Sequence, residues 1–287
     1  MHLKSKLEKG EFAILAELEP PKGVDVSLML ANAKKVKGKV DAFVVPEMSN
    51  AVMRMSSLGG ALILKGNGLE TVFQVNCRDR NRIALQADLL AAGAAGIVNV
   101  MAVNGEDPRF GDHHESKAVN DLDLIELIRT INILNNGKDM AGIELMGAPR
   151  FIVGSTVNAG AIGQALALEL DIMKKKLEAG TGFFITPPVF DVAGIQPFLE
   201  RVDLSKTRII PTVLLLKSVG MAKYIERHMD NIKIPAATID RIQKAPDRVR
   251  ECIKIASETI SMLKTEKFSG AFISTLGWEN KLPEILE

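Results

Sequence analysis

Eight times along the chain a short apolar run, rich in β-branched residues, alternates with a longer stretch of helical period. The runs fall at residues 12–18, 41–45, 72–76, 97–103, 151–157, 183–186, 209–216 and 270–275. Helical patterns fall at residues 26–36, 51–64, 82–94, 122–134, 162–177, 192–201, 220–228 and 248–263, with a short helical tail at 281–286. Strands alternating with helices build a parallel sheet covered by helices. Eight such units predict an α/β fold, a single closed (β/α)8 TIM barrel. The other arrangement, an open doubly wound sheet, needs a Gly-rich phosphate turn after the first strand. Here that strand leads into Pro20-Pro21-Lys22-Gly23. No Pro/Gly/Ser-rich linker interrupts the pattern, so residues 1–287 are expected to form one domain.

Composition narrows the function classes. A hydrophobic share of 47% and a charged share of 25% suit a globular core, and with aromatics at 5% that core must be mainly aliphatic. A formal net charge of +1 gives no general attraction to nucleic acid or to an anionic membrane. No apolar run is long enough for a membrane span, and residues 1–11, rich in Lys and Glu, lack the apolar stretch of a signal peptide. The cytoplasm is the expected compartment. Cys77 and Cys252 are the two cysteines, and neither lies in a C-x-x-C pair, which argues against a zinc knuckle or redox dithiol.

The polar residues at strand ends are the candidates for chemistry. Residues two apart in a strand share a face, so Leu15, Glu17 and Glu19 lie together. Two carboxylates at the C-terminal end of the first strand stand where barrel active sites form, unless both emerge into solvent before Pro20. Gln74 and Asn76 share a face on the third strand, and their amides suit the donor and acceptor edge of a flat heterocycle. Beyond them, Asp79 or Asn81 reads as the cap of the next helix, with Arg78 and Arg80 solvated. The fourth strand runs into Asn104-Gly105-Glu106-Asp107-Pro108-Arg109-Phe110-Gly111-Asp112-His113-His114, where glycines let a ligand approach the backbone and Glu106 offers a carboxylate beside it. Asp112, His113 and His114 lack an evident third ligand, and no metal is expected. Lys174, Lys175 and Lys176 either complement a helix C-terminus on a solvated face or clamp a nucleotide phosphate. Met53 and Met55 read as packing.

Taken in order, several segments resemble the methylenetetrahydrofolate reductase family, over nearly the whole chain. Ala16-Glu17-Leu18-Glu19-Pro20-Pro21 is similar to that family's opening strand. Val75-Asn76-Cys77-Arg78-Asp79-Arg80-Asn81-Arg82, followed by Ala84-Leu85-Gln86-Ala87-Asp88-Leu89-Leu90, resembles the entry to its third helix. Asn104-Gly105-Glu106 with Phe110-Gly111-Asp112-His113 resembles its flavin loop. Lys176-Leu177-Glu178-Ala179-Gly180 resembles its Lys-Val-Asp-Ala-Gly pattern.

The resemblance implies a barrel holding a flavin, FAD or alternatively FMN, at its C-terminal face. Its activity is reduction of 5,10-methylenetetrahydrofolate to 5-methyltetrahydrofolate by hydride transfer from reduced flavin. Glu17 falls on the glutamate that protonates the folate to open its five-membered ring. Glu106 falls where the family has an aspartate near flavin and pterin, and Gln74 where many members have a flavin-contacting histidine. Val103, Asn104 and Gly105 match positions against the isoalloxazine. Thr156 and Asn158 match fifth-strand positions near the cofactor, and Lys175 and Lys176 match basic positions at its ribityl–phosphate part.

Some positions depart from the pattern. Pro187 replaces a pterin-binding glutamine, and Val219 replaces an aromatic that packs on substrate. The segment from Ser274 to Pro283 resembles a branch from acetogens and other anaerobes, whose members often work with a separate zinc or iron–sulfur subunit. The electron donor is therefore a reduced nicotinamide or a partner electron-transfer subunit, and an oligomer or hetero-complex is implied. Two alternatives stay open: a non-catalytic or electron-relay flavoprotein subunit, and a pterin-binding methyltransferase barrel.

Overall fold

The apolar runs become strands and the periodic stretches become helices. The computed structural model describes residues 3–229 and 231–287; the first two residues of the charged N-terminal stretch lie outside it. In chain order the elements are α1 (Leu3–Lys9), β1 (Ala13–Glu17), α2 (Ser27–Lys35), β2 (Ala42–Val45), α3 (Ser57–Gly66), β3 (Thr71–Asn76) and α4 (Arg82–Ala94). There follow β4 (Asn99–Val103), α5 (Leu124–Asn135), β5 (Ile152–Thr156), α6 (Gly163–Ala179), β6 (Phe183–Pro188), α7 (Gln196–Leu199) and β7 (Ile209–Leu214). The chain ends with α8 (Val219–His228), α9 (Ala236–Lys244), α10 (Arg248–Thr265), β8 (Gly270–Ser274) and α11 (Leu282–Ile285). Each strand pairs in parallel with the next, and β8 returns to β1 through Ala13↔Gly270 and Ala16↔Ile273. The sheet is a closed eight-stranded barrel, as the alternation predicts.

Strand alternation sorts the core into two parts. One face of the strands supplies Leu15, Val44, Val72, Met101, Ile185 and Phe272, among others, to a cluster filling the lumen. The opposite face supplies Ala16, Phe43, Phe73, Val100, Phe184 and Ile273 to the larger layer between sheet and helices. Burial of these aliphatic side chains, at roughly 25 cal/mol per Å² of apolar surface, is the main favourable term holding the helices on the barrel.

The lumen leaves little slack. A Cβ built on Gly154 would lie 2.3 Å from the Phe183 ring. Gly154→Ala is therefore expected to overpack the lumen and cost about 1–3 kcal/mol. A thermal melt checks this, and an unchanged melting temperature would show that the ring has room to move.

The pattern missed two helices. α1 reads as a charged segment, yet Leu3 and Leu7 are buried in the lumen cluster. It is fastened by the Arg208 Nε bond to the Leu7 carbonyl (2.9 Å) and by the Lys6–Asp41 ion pair (2.8 Å). α9 buries only Ile239 and Ile242, too sparse a stripe to stand out. The helix expected from residue 51 begins at Ser57. Met48, Asn50 and Ala51 all have positive φ, and the Ser56 hydroxyl caps the true start by accepting from the Gly59 amide.

Candidate functional site

The C-terminal ends of the strands carry polar residues on the same face that is apolar deeper in the barrel. Glu17 follows Ala13 and Leu15, Gln74 follows Val72, Thr156 follows Gly154, and Ser274 follows Phe272. They surround the barrel mouth. A cavity of about 700 Å³ opens there, within the range of small-molecule sites. Gln74, Asn104, Thr156, Asn158 and Lys176 line it, with Met101, Ile185 and Phe272 as apolar wall.

Lys176 lies on the inward stripe of α6, in phase with buried Met173 and Ala179. It is 5% exposed, and its ammonium donates to the Thr156 carbonyl at 2.7 Å. Burial lowers its pKa, with the Glu169 carboxylate opposing. Lys175, expected to join it, is exposed and does not border the cavity. One residue along a helix is a turn of about 100°, which takes Lys175 out to the surface.

The neighbouring amides have defined roles. The Asn158 amide N–H donates to Glu169 Oε1 (3.0 Å), and its side-chain oxygen accepts from Asn231 Nδ2 (3.1 Å). The Gln74 side-chain oxygen accepts from the Glu47 amide at 3.3 Å, which leaves its NH2 group near Met101 Sδ (3.8 Å). Asn76 does not offer a free amide to a ligand, because its NH2 donates to Asp79 Oδ2 (2.9 Å) and its oxygen accepts from the Asp79 amide (3.1 Å).

The loop after β4 holds the other expected residues. Val103 packs against the lumen cluster. Gly105 has φ +81°, and a Cβ there would lie 3.0 Å from Arg78 Cβ, so glycine suits both the turn and the close approach. Asn104 borders the inner cavity and a second one of about 680 Å³. Glu106 borders only the second; its side chain is 55% exposed, with Oε2 3.7 Å from Arg78 Nη1. Glu106 thus stands further out than the sequence suggests, because the turn at Gly105 carries it away from the lumen. Asp123 also borders both cavities, so the two are neighbours across Asn104 and Asp123.

Glu17 and Glu19 differ in their partners. Burial pushes the Glu17 carboxyl up to about 7, against the lowering effect of a hydrogen bond from Ser274 Oγ at 3.1 Å; the charges of Glu19 and Glu279 add to the rise. Glu19 is also raised by burial, but Arg54 opposes this through an ion pair of 2.9 Å. Glu17 lies on the mouth's β1–β8 side, outside the linings of both cavities.

A carboxyl raised in the folded state weakens stability once it ionises. Between its ordinary 4.5 and about 7 the folded state holds more Glu17 protons than the unfolded state, so stability falls as pH rises through that window. Glu17→Gln should flatten this slope. Thermal melts at about pH 5 and about pH 8 should show a larger loss for the unaltered chain than for the variant, and equal losses would mean an ordinary carboxyl.

Sequence reasoning missed two buried charges. Arg78, expected in solvent, is 3% exposed and grips Asp79 through Nε (2.6 Å) and Nη2 (2.7 Å). Glu47, 4% exposed, accepts from the Ser57 amide (2.8 Å) and pairs with Arg80 (3.1 Å). The position of Arg78, two residues beyond an inward-facing Asn76, was the available signal. Asn81 does cap α4, accepting from the Ala84 amide at 3.0 Å. Asp112 ties loops together, pairing with Lys22 and accepting from the Met53 amide (2.9 Å) and His113.

The methylenetetrahydrofolate reductase family model matches residues 2–287. The chain belongs to that family. Methylenetetrahydrofolate reductase 2 of Schizosaccharomyces pombe is 24% identical over 180 residues, which is 60% of this chain but 27% of the yeast protein. A Clostridium thermocellum protein described as binding two copies of 5-methyl-5,6,7,8-tetrahydrofolic acid shares the fold, with TM-score 0.65 and 15% identity over 99% of this chain and 97% of that one. The EDTA monooxygenase EmoA of Chelativorans sp. BNC1 is more distant, with TM-score 0.53 and 11% identity over 96% and 92% of the two chains. This family member has no helix, among the described residues, long and apolar enough to cross a membrane. Nor do three or more His, Cys, Asp or Glu side chains among those residues form a group able to hold a metal.

Proposed function

We propose that this chain reduces 5,10-methylenetetrahydrofolate to 5-methyltetrahydrofolate at the barrel mouth, with a bound flavin, FAD by family and FMN as the alternative. The observation that carries the reading is the half-buried Glu17 carboxyl, pushed up to about 7 by desolvation at the same barrel mouth into which a cavity of about 700 Å³ opens, in a chain of this family. Family membership ties the chain to folate reduction in general; the particular reaction is our proposal.

The residues present fit a flavin. Lys176 has three N–H donors and spends one on the Thr156 carbonyl, which leaves donors for phosphate or ribityl oxygens. Gln74, lining the cavity, would offer its NH2 group to a ring acceptor. Asn104, Thr156 and Asn158 would supply further polar contacts, with Val103 and Gly105 beside them at the end of β4. Bound flavin would supply the hydride. Glu17 then acts as general acid at a folate ring nitrogen, the proton coming from a carboxyl that burial keeps protonated. Glu106, bordering the outer cavity, would stabilise the cationic carbon this creates where the folate extends into that cavity. Met101, Ile185 and Phe272 limit water in the cavity. The two folates bound by the Clostridium thermocellum protein and the two neighbouring cavities here both suit a mouth that holds more than one ring system.

Residues 1–287 serve as one domain in this reading, in the cytoplasm. A reduced nicotinamide or a partner subunit supplies electrons, within an oligomer or hetero-complex. A second reading, a non-catalytic or electron-relay flavoprotein subunit, is favoured by Pro187, which borders the cavity without a polar side-chain atom. The test is the absorbance spectrum of the purified protein, the mass of its released cofactor and an assay for methyltetrahydrofolate. Flavin with folate turnover supports the first reading. Flavin without turnover, even with donor and partner supplied, supports the second. Folate binding without flavin would instead indicate a methyltransferase barrel.

A further inference from the structure

We propose that Arg78 is the positioning residue that sets the junction between the two cavities, and through it the affinity for ligand at the mouth. The inference rests on the reading of that mouth as a ligand site.

Arg78 reaches the loop after β4 while remaining fixed to β3. Nε and Nη2 hold both oxygens of Asp79, which is itself held by the Asn76 amide at the end of β3. The remaining terminal nitrogen, Nη1, donates to the Glu106 main-chain carbonyl at 3.0 Å, with the Glu106 carboxylate 3.7 Å away. Gly105 lies flat on this platform, close enough that a Cβ would sit 3.0 Å from Arg78 Cβ and 3.3 Å from Asn76 Cβ. The Arg78 main chain holds the other flank of the same loop, its carbonyl accepting from the Val119 amide at 2.7 Å. Asn104, which borders both cavities, directly precedes Gly105 at the start of this loop.

Arginine suits this task and lysine does not. A planar fork can engage a carboxylate with one edge and a carbonyl with the remaining nitrogen; a single ammonium is a point charge that cannot span both. A buried cation is also costly unless fully paired, so its place beneath a ligand-bordering loop is not explained by packing alone.

The test compares Arg78→Lys with the unaltered chain. Arg109, exposed on the same loop, is a natural reporter. Trypsin nicking after Arg109, located by mass spectrometry, should become about tenfold faster in Arg78→Lys, consistent with losing one charge-assisted hydrogen bond. Affinities of the cofactor-stripped protein for FAD and for 5-methyltetrahydrofolate, measured by calorimetry, should fall about tenfold for at least one ligand, with the melting temperature little changed. Unchanged nicking and unchanged affinities in a folded Arg78→Lys overturn the proposal. So does a loss that tracks a lowered melting temperature, which marks a purely structural residue. If Arg78→Lys does not fold, Asp79→Asn decides, since it keeps the shape but weakens the grip on the fork: faster nicking supports the proposal and unchanged nicking overturns it. If the unaltered chain binds neither ligand, the functional reading fails, and the nicking comparison still decides whether Arg78 anchors the loop.

Discussion

Glu17→Gln is expected to lower folate reduction by about a hundredfold or more, the usual scale for losing a general acid. Glutamine keeps the shape of the side chain and an acceptor for Ser274 Oγ, but it carries no carboxylic proton. Flavin binding, and flavin reduction by the donor, need no proton from this residue and should survive. Glu19→Gln is the control. Glu19 stands on the same face and burial raises its carboxyl too, but its carboxylate is engaged by Arg54 at 2.9 Å rather than free to serve a substrate. Its replacement should be much milder. A normal rate in Glu17→Gln with a collapsed rate in Glu19→Gln would reverse the assignment. Normal rates in both would place the acid elsewhere or deny this chain the folate step.

The inward direction of Glu17 is readable from sequence because strand alternation is strict: Ala13, Leu15 and Glu17 must share a face. The barrel is readable for a related reason, since each strand contributes an apolar run that only a covered parallel sheet can bury. Loops lack such a rule. Nothing in Asn104-Gly105-Glu106 tells how far a positive φ at Gly105 swings the next carboxylate outward. The same gap hid Arg78. An Arg-Asp-Arg run reads as solvated until the loop that covers it is in place, and that loop contributes a main-chain carbonyl, which no side-chain pattern records. Lys176 was half visible: its three-residue spacing from Met173 and Ala179 puts it on the buried stripe and sets Lys175 apart. α1 escaped because two leucines among lysines and a glutamate do not make a recognisable stripe in seven residues.

Charge reversal at Lys176 should produce the second large effect. Lys176→Glu removes a charge-assisted donor, worth about 1.5–3 kcal/mol, and sets a carboxylate where phosphate is proposed to lie. Flavin affinity should fall on the order of a hundredfold. Lys176→Met, which loses the donor without adding repulsion, should fall about tenfold. Lys175→Glu separates this from a general effect of charge on α6, since that side chain is exposed and should leave affinity unchanged. Titration of stripped protein with flavin, followed by absorbance, measures all three. Equal affinities in Lys176→Glu and the unaltered chain would remove the lysine from the cofactor site.

The most direct measurement is a half-reaction without any electron donor in turnover. The flavin-loaded protein is reduced chemically under anaerobic conditions and mixed with 5,10-methylenetetrahydrofolate, while flavin absorbance and folate products are followed together. Oxidised flavin absorbance is expected to return as 5-methyltetrahydrofolate appears in equal amount, while Glu17→Gln is expected to stay reduced on the same timescale. A flavin that remains reduced in the unaltered chain, with methylenetetrahydrofolate recovered intact, would contradict the proposed reaction.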